Sequence, residues 1–370
     1  MKRSHYFFAG GGTGGHIYPA LAVAEQIRQA DSDVHITFFC SERAIDSHIL
    51  AKTGYEFFPL PVMSFSLRPD RTLVFFSRLM RSYRLVREKI FPVADKSVVI
   101  GTGGFASAPA VCAAHRLDVP VAIINVDIVP GRANRLLARF AKEIFVQFED
   151  TAERFANTKA AVNVVGCPLR EGFGSDDRRM VIDELGLDEN KKTLVVTGAS
   201  SGSMSINDAV CALAKDLEPF GRSWQMVHIT GKRDYERAQA GYVDVGIGHK
   251  IIDYFDDMPD LLACADVVVG RAGAVSIAEY AAAGVAAICL PYPYHKDRHQ
   301  YLNAAKLVEA GGAVIVDDVV GDCGQTSKNL LRELTILMAD DEKRQQMGQN
   351  GRTWARLDAA ERIAQAVMSL

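Results

Sequence analysis

A short apolar run, a glycine turn and an amphipathic helix follow one another at the start of this 370-residue chain and again near its middle. Tyr6-Phe7-Phe8-Ala9 leads into Gly10-Gly11-Gly12-Thr13-Gly14-Gly15-His16, and then into a helix reading from Ile17 to Ile27. Leu194-Val195-Val196-Thr197 leads into Gly198-Ala199-Ser200-Ser201-Gly202-Ser203 and a helix over 207–214. A continuously apolar strand handed straight to a helix belongs in a parallel sheet covered on both faces. Two copies predict two doubly wound α/β units, which suits a length too great for one core. The glycines let backbone N–H groups approach a ligand, and the helix start favours an anion there. Gly10-x-Gly12-x-x-Gly15 also fits the dinucleotide fingerprint, with Glu42 near the end of the next strand as a weak ribose partner, so a nicotinamide enzyme stays open on this loop alone.

Further strands read at 34–40, 55–60, 98–100, 121–124, 143–146 and 162–165 in the first half, and at 226–231, 267–270 and 287–291 in the second. A second glycine loop, Gly101-Thr102-Gly103-Gly104-Phe105, enters a helix at Ala108. Gly166 to Arg170 reads as a hinge, and a polar loop over 294–300 opens a helix at Asn303. The expected domains are 1–168 and 169–353, with a last helix from Trp354 to Leu370. The formal charge of −3 gives no general affinity for nucleic acid, and the seven scattered cysteines lack the spacing of a metal site or a disulfide framework. No signal peptide or membrane span is expected. The longest uncharged run, residues 97–114, is broken by Gly, Ser and Pro. There is no G-K-[ST] phosphate loop and no G-x-S-x-G elbow, which disfavours an ATPase and a serine hydrolase of that type.

Residues 68–90 differ in character. Asp70 reads as a cap and Pro92 as a stop, and Phe75, Phe76, Leu79, Tyr83, Val86 and Ile90 share one side of a helical wheel. Seven basic and two acidic residues between Arg68 and Lys89 give a local charge of 7 − 2 = +5. Such a helix either lies on an anionic membrane surface or packs on the core with a solvated basic back.

Gly11-Gly12-Thr13-Gly14-Gly15-His16 with Pro19-Ala20-Leu21-Ala22 resembles the signature of the MurG family of peripheral membrane N-acetylglucosaminyltransferases. Arg271-Ala272-Gly273-Ala274 through Glu279, and His295-Lys296-Asp297-Arg298-His299-Gln300 through Asn303-Ala304, resemble that family's nucleotide-sugar motif in order and spacing. The resemblance implies a GT-B fold of two Rossmann-like domains facing a central cleft, the last helix packing back on the first. It implies UDP-N-acetylglucosamine as donor, a lipid-diphosphate acceptor (lipid I), inverting chemistry, no cofactor and no metal. Glu279 would hold the ribose; Ser200, Gly202, Ala274, Val275 and Ser276 the diphosphate; Arg170 a phosphate or the nucleotide; Phe255 and Met258 the uracil; His299 and Gln300 the sugar. Thr13, Gly14, Gly15, Gly103 and Gly104 would grip the acceptor diphosphate, with His16 as proton acceptor. Given a lipid acceptor, Phe75, Phe76, Arg78, Leu79, Arg81 and Arg84 become a membrane-docking set on the cytoplasmic face.

The pattern breaks in one region. The family's His-Glu-Gln-Asn becomes Ile124-Asn125-Val126-Asp127, and the first Gln of its sugar-reading pair becomes His299. Asn125 cannot take a proton. Asp127 then serves either as base or as the partner orienting His16. Otherwise the chain is a paralogue for another sugar or acceptor, an epimerase of the same fold, or a UDP-binding protein without turnover.

Overall fold

The structure, a computed structural model, describes residues 4–63, 68–174, 178–199 and 202–370. Ser200 lies outside them. The chain divides into two units, Met1–Arg170 with Arg356–Leu370, and Glu171–Ala355.

In the first unit the elements are β1 (His5–Gly10), α1 (Gly14–Ala30), β2 (His35–Ser41), α2 (Ala44–Leu50), β3 (Glu56–Leu60), α3 (Pro69–Ile90), β4 (Ser97–Gly103), α4 (Ser107–Arg116), β5 (Val121–Asn125), α5 (Arg132–Leu137), β6 (Glu143–Val146), α6 (Glu149–Glu153) and β7 (Ala161–Val164). The second unit continues with α7 (Arg179–Leu185), β8 (Lys192–Thr197), α8 (Met204–Leu213), β9 (Trp224–Ile229), α9 (Tyr235–Ala240), β10 (Gly248–Ile252), α10 (Met258–Ala263), β11 (Val267–Gly270), α11 (Ala274–Ala283), β12 (Ala286–Cys289), α12 (His299–Glu309), β13 (Ala313–Ile315), α13 (Cys323–Ala339) and α14 (Asp341–Trp354). The last helix, α15 (Ala359–Met368), belongs to the first unit.

Both sheets are parallel throughout, in the orders β3-β2-β1-β4-β5-β6-β7 and β10-β9-β8-β11-β12-β13. Strand order reverses between β1 and β4 and again between β8 and β11, the two places where a doubly wound sheet opens a crevice at its strand ends. The central strands are buried along their length, as in Val99, Ile100, Val195 and Val268, so both faces must be covered by helices. α15 covers α1 with Ala359, Ile363, Ala364 and Val367, all buried.

Several expectations need correcting. α3 starts on Pro69, with Arg68 at the cap position, so Asp70 lies inside the helix. The six residues placed on one side of α3 do not stay together: Val86 and Ile90 are buried, while Phe76 is 56% exposed. Leu73, Val74 and Met80 are exposed with it, so the helix has an inner and an outer apolar stripe. α12 begins at His299 instead of Asn303, and the last helix begins at Ala359 instead of Trp354, which is the final residue of α14.

His228 on β9 is fully buried, with Nδ1 2.6 Å from the Tyr242 hydroxyl and Nε2 3.0 Å from Asn207 Oδ1. Burial pushes its pKa down to about 4. The unfolded chain, with an ordinary His near 6.5, therefore binds this proton first on acidification. Stability from this residue is present above pH ~6.5 and is lost as pH falls towards ~4, by roughly 3 kcal/mol in all. Urea titrations from pH 7 to 4 are expected to show this slope in the natural protein and its loss in His228→Gln, whatever the variant's absolute stability.

Candidate active site

In the first unit, β1 and β4 run side by side and end in the two glycine loops. Gly11, Gly12, Gly103 and Gly104 take φ values of +151°, +95°, +107° and +75°. A Cβ on Gly104 would come 2.5 Å from the Gly11 carbonyl, so the loops touch backbone to backbone and only glycine fits. Ser107, buried at the start of α4, ties them: its hydroxyl accepts from Gly103 N–H and has its one hydrogen within reach of Ala9 O at 2.7 Å and Gly103 O at 2.8 Å.

His16 sits in the first turn of α1, half-buried. Its Nδ1 lies 3.0 Å from the Gly11 carbonyl oxygen. A carbonyl only accepts, so Nδ1 carries the hydrogen and Nε2 of the neutral ring carries the lone pair. Nε2 points to the second glycine loop, 3.0 Å from where a Cβ of Gly103 would stand, with Asn134 Nδ2 3.7 Å from the same point. Asn134 donates to Asn125 Oδ1 at 3.0 Å, and Asn125 donates to the Asp127 carbonyl at 2.7 Å. Asn125 is thus a buried amide link, and Asp127 is half-buried just beyond the end of β5. The orienting partner of His16 Nδ1 is the Gly11 carbonyl, a contact that sequence reading missed. Arg170, the last residue of this unit, lays its guanidinium over the Tyr18 ring of α1 at 4.1 Å.

In the second unit, β8 and β11 are neighbours and the loops after them lead into α8 and α11. α11 has Gly273 at its cap with no side-chain acceptor, and its first turn, Ala274, Val275 and Ser276, lies at the C-terminal end of β11, where a helix start favours negative charge. Glu279, 9% exposed, stands one turn further along. Phe255 and Met258, both half-buried, precede and open α10. Gly202 has φ +71°, and a Cβ there would meet the Thr230 carbonyl at 2.4 Å. Gln300 already accepts from Tyr292 N–H through Oε1, which leaves its NH2 group for a ligand. His299 is held through Nδ1 on Asp297 Oδ1 at 2.8 Å and stacks on His295, ring centroids 4.3 Å apart.

In the sequence Arg271 stands out only as part of a motif. It proves to be a scaffold: buried, it donates to Leu290 O, Ser203 Oγ and Ser205 Oγ and pairs with Asp318 at 2.8 Å. It thereby fixes Ser203, the cap of α8, whose hydroxyl accepts from Ile206 N–H. No group of three or more His, Cys, Asp or Glu able to hold a metal occurs among the described residues, and none of the described helices is long and apolar enough to cross a membrane.

The chain belongs to glycosyltransferase family 28: residues 6–146 match the family's N-terminal domain and residues 193–363 its C-terminal domain. Within that family it is similar to the UDP-N-acetylglucosamine–N-acetylmuramyl-(pentapeptide) pyrophosphoryl-undecaprenol N-acetylglucosamine transferases. That of Halothermothrix orenii is 34% identical over 362 residues, covering 94% of this chain and 95% of the relative. That of Leuconostoc mesenteroides is 34% identical over 360 residues, covering 96% of each. The GT-B fold matches a crystal structure of MurG from Acinetobacter baumannii (TM-score 0.75, 23% identity, 99% of this chain and 100% of that one). It also matches UDP-GlcNAc 2-epimerase from Neisseria meningitidis bound to UDP-GlcNAc (TM-score 0.67, 14% identity, 99% and 100%), a likeness of fold alone.

The described part of the loop after β8 has one residue in the left-handed region. Ala199 holds φ +61°, where a Cβ costs roughly 1 kcal/mol or more. Ala199→Gly is expected to raise stability by about 1 kcal/mol, measured as a higher urea midpoint at unchanged m-value.

Proposed function

We propose that this chain transfers N-acetylglucosamine from UDP-N-acetylglucosamine to the 4-hydroxyl of the N-acetylmuramyl group of an undecaprenyl-diphosphate-linked acceptor, a step of cell-wall synthesis. The observation that carries this reading is similarity over nearly the whole length, through both units, to transferases named for that reaction. In the mechanism, His16 Nε2 accepts the acceptor hydroxyl's proton as its oxygen bonds to the anomeric carbon. The bond from that carbon to the UDP oxygen breaks on the opposite side, which inverts the centre. The negative charge left on UDP is offset by the first-turn N–H groups of α11 and by the loop at Gly202, the kind of preorganised dipole that strengthens as charge develops. Glu279 accepts from the ribose hydroxyls, and Phe255 and Met258 flank uracil. On the sugar, the Gln300 NH2 donates and His299 Nε2 accepts. Asp127, just beyond the end of β5, is the carboxylate that would steady the imidazolium after proton transfer.

Purified protein is expected to turn over UDP-N-acetylglucosamine with a lipid-linked N-acetylmuramyl acceptor. Turnover of another sugar nucleotide in its place would overturn the donor assignment. His16→Ala should lower kcat by about 10²- to 10⁴-fold while leaving UDP affinity within about twofold, since it removes a proton acceptor and no donor contact.

The same reading gives the outer stripe of α3 a role. Leu73, Phe76 and Met80 are exposed along one line, flanked by exposed Arg78, Arg81 and Arg84, while Phe75 and Leu79 are half-buried. We assign this face to the anionic cytoplasmic surface of the membrane, apolar side chains entering the interface and arginines meeting the headgroups. The triple variant R78E/R81E/R84E is expected to lose most of its sedimentation with anionic liposomes at an unchanged melting temperature. Equal sedimentation of the variant would count against docking through this face.

A further inference from the structure

The loop read above as the acceptor's diphosphate site has an unbalanced charge. Thr13, Gly14, Gly15, Gly103 and Gly104 bear no formal positive charge. Behind them stands Asp46 of α2, fully buried. Its carboxylate accepts from Gly12 N–H at 2.7 and 3.0 Å, from Ser41 N–H at 3.0 Å and from the Ser41 hydroxyl at 2.6 Å. Every partner is a donor, as an acceptor-only carboxylate requires. Two consequences follow for an anion on this loop. The Gly12 N–H is turned inward, so it is withdrawn from ligand binding. A buried carboxylate also lies behind a helix end whose dipole amounts to only about half a positive charge. A diphosphate held there by N–H groups alone would be opposed by the carboxylate.

Arg43 supplies what is lacking. Its Nη1 donates to the Gly12 carbonyl oxygen at 2.6 Å, and a Cβ on Gly12 would meet this guanidinium at 3.7 Å. The side chain is exposed and lies against the loop, so its other N–H groups face solvent. Gly12 is therefore held at both polar groups, by Asp46 from within and by Arg43 from outside. We propose that Arg43 is a binding residue for the acceptor's diphosphate, its planar fork meeting phosphate oxygens at the start of α1, and that Asp46 is the positioning residue that keeps the loop in place for it. The proposal rests on the reading of Gly10 to His16 as the acceptor loop.

The test separates charge from mere tethering. Arg43→Gln keeps a donor for the Gly12 carbonyl but removes the charge; Arg43→Lys keeps the charge but not the fork. In the full-length protein, KM for the lipid-linked acceptor should rise about 10- to 100-fold in Arg43→Gln. KM for UDP-N-acetylglucosamine and the melting temperature should not move, and Arg43→Lys should recover part of the loss. Binding of farnesyl diphosphate, followed by calorimetry, should weaken in parallel and lose much of its salt dependence in Arg43→Gln. An acceptor KM and a diphosphate affinity equal to those of the natural protein in Arg43→Gln would overturn the role of Arg43. Failure of the natural protein to turn over the acceptor at all would overturn the functional reading, with the calorimetric comparison still deciding on Arg43.

Discussion

In a parallel sheet whose strand order reverses, two adjacent strands send their following loops to opposite faces, and nothing crosses the gap between them. Most of what matters in this protein follows from that constraint acting twice. At β1 and β4 it places two glycine loops edge to edge, close enough that Gly104 rests on the Gly11 carbonyl. At β8 and β11 it places the loop ending at Gly202 beside the start of α11. The glycines answer to this geometry before they answer to any ligand, because two backbones must pass at contact distance. Ligand binding uses the N–H groups left over once the loops have packed.

Those leftovers are fewer than the glycine content suggests. Gly12 gives its N–H to Asp46, and His16 gives its own N–H to the Thr13 carbonyl. The second unit uses a buried arginine in the same way: Arg271 is occupied by Ser203, Ser205, Leu290 and Asp318, and so orders the end of the loop that leads into α8. In each unit a buried charged side chain thus shapes a loop, Asp46 in the first and Arg271, paired with Asp318, in the second. Removing one partner of the Arg271–Asp318 pair would leave the other buried and unpaired, a far larger penalty than the pair's own worth.

The fold was readable because it depends on local patterns. Apolar strand, glycine turn and helix follow one another directly, over residues 6–27 and again over 194–214, and buried parallel strands are written as unbroken apolar runs such as Val267-Val268-Val269. Two edge strands escaped notice for the opposite reason: β10 contains Gly248, His249 and Lys250, and β13 is three residues long. The start of α12 was hidden by its polar first turn, His299 and Gln300. Within the site, the residue types on the loops could be read, but their hydrogen bonds could not. Gly12 and Asp46 are 34 positions apart, and Arg271 and Ser203 are 68 apart. Only the folded chain brings such pairs together, and no periodicity announces them. The wheel drawn for α3 failed differently: Phe75 and Phe76 are adjacent in sequence, and the packing of Val86 and Ile90 turns one partly inward and the other out.

The place of α15 has a bearing on how the molecule is made. The first unit begins at the N-terminus, yet α1 is covered by residues 359–368, which follow the whole of Glu171–Ala355 in the chain. As the ribosome delivers residues in order, the second unit has its full sequence available before the first one does. The unit that starts first is therefore finished last. Until then it exposes the surface of α1 that Ala359, Ile363, Ala364 and Val367 will cover.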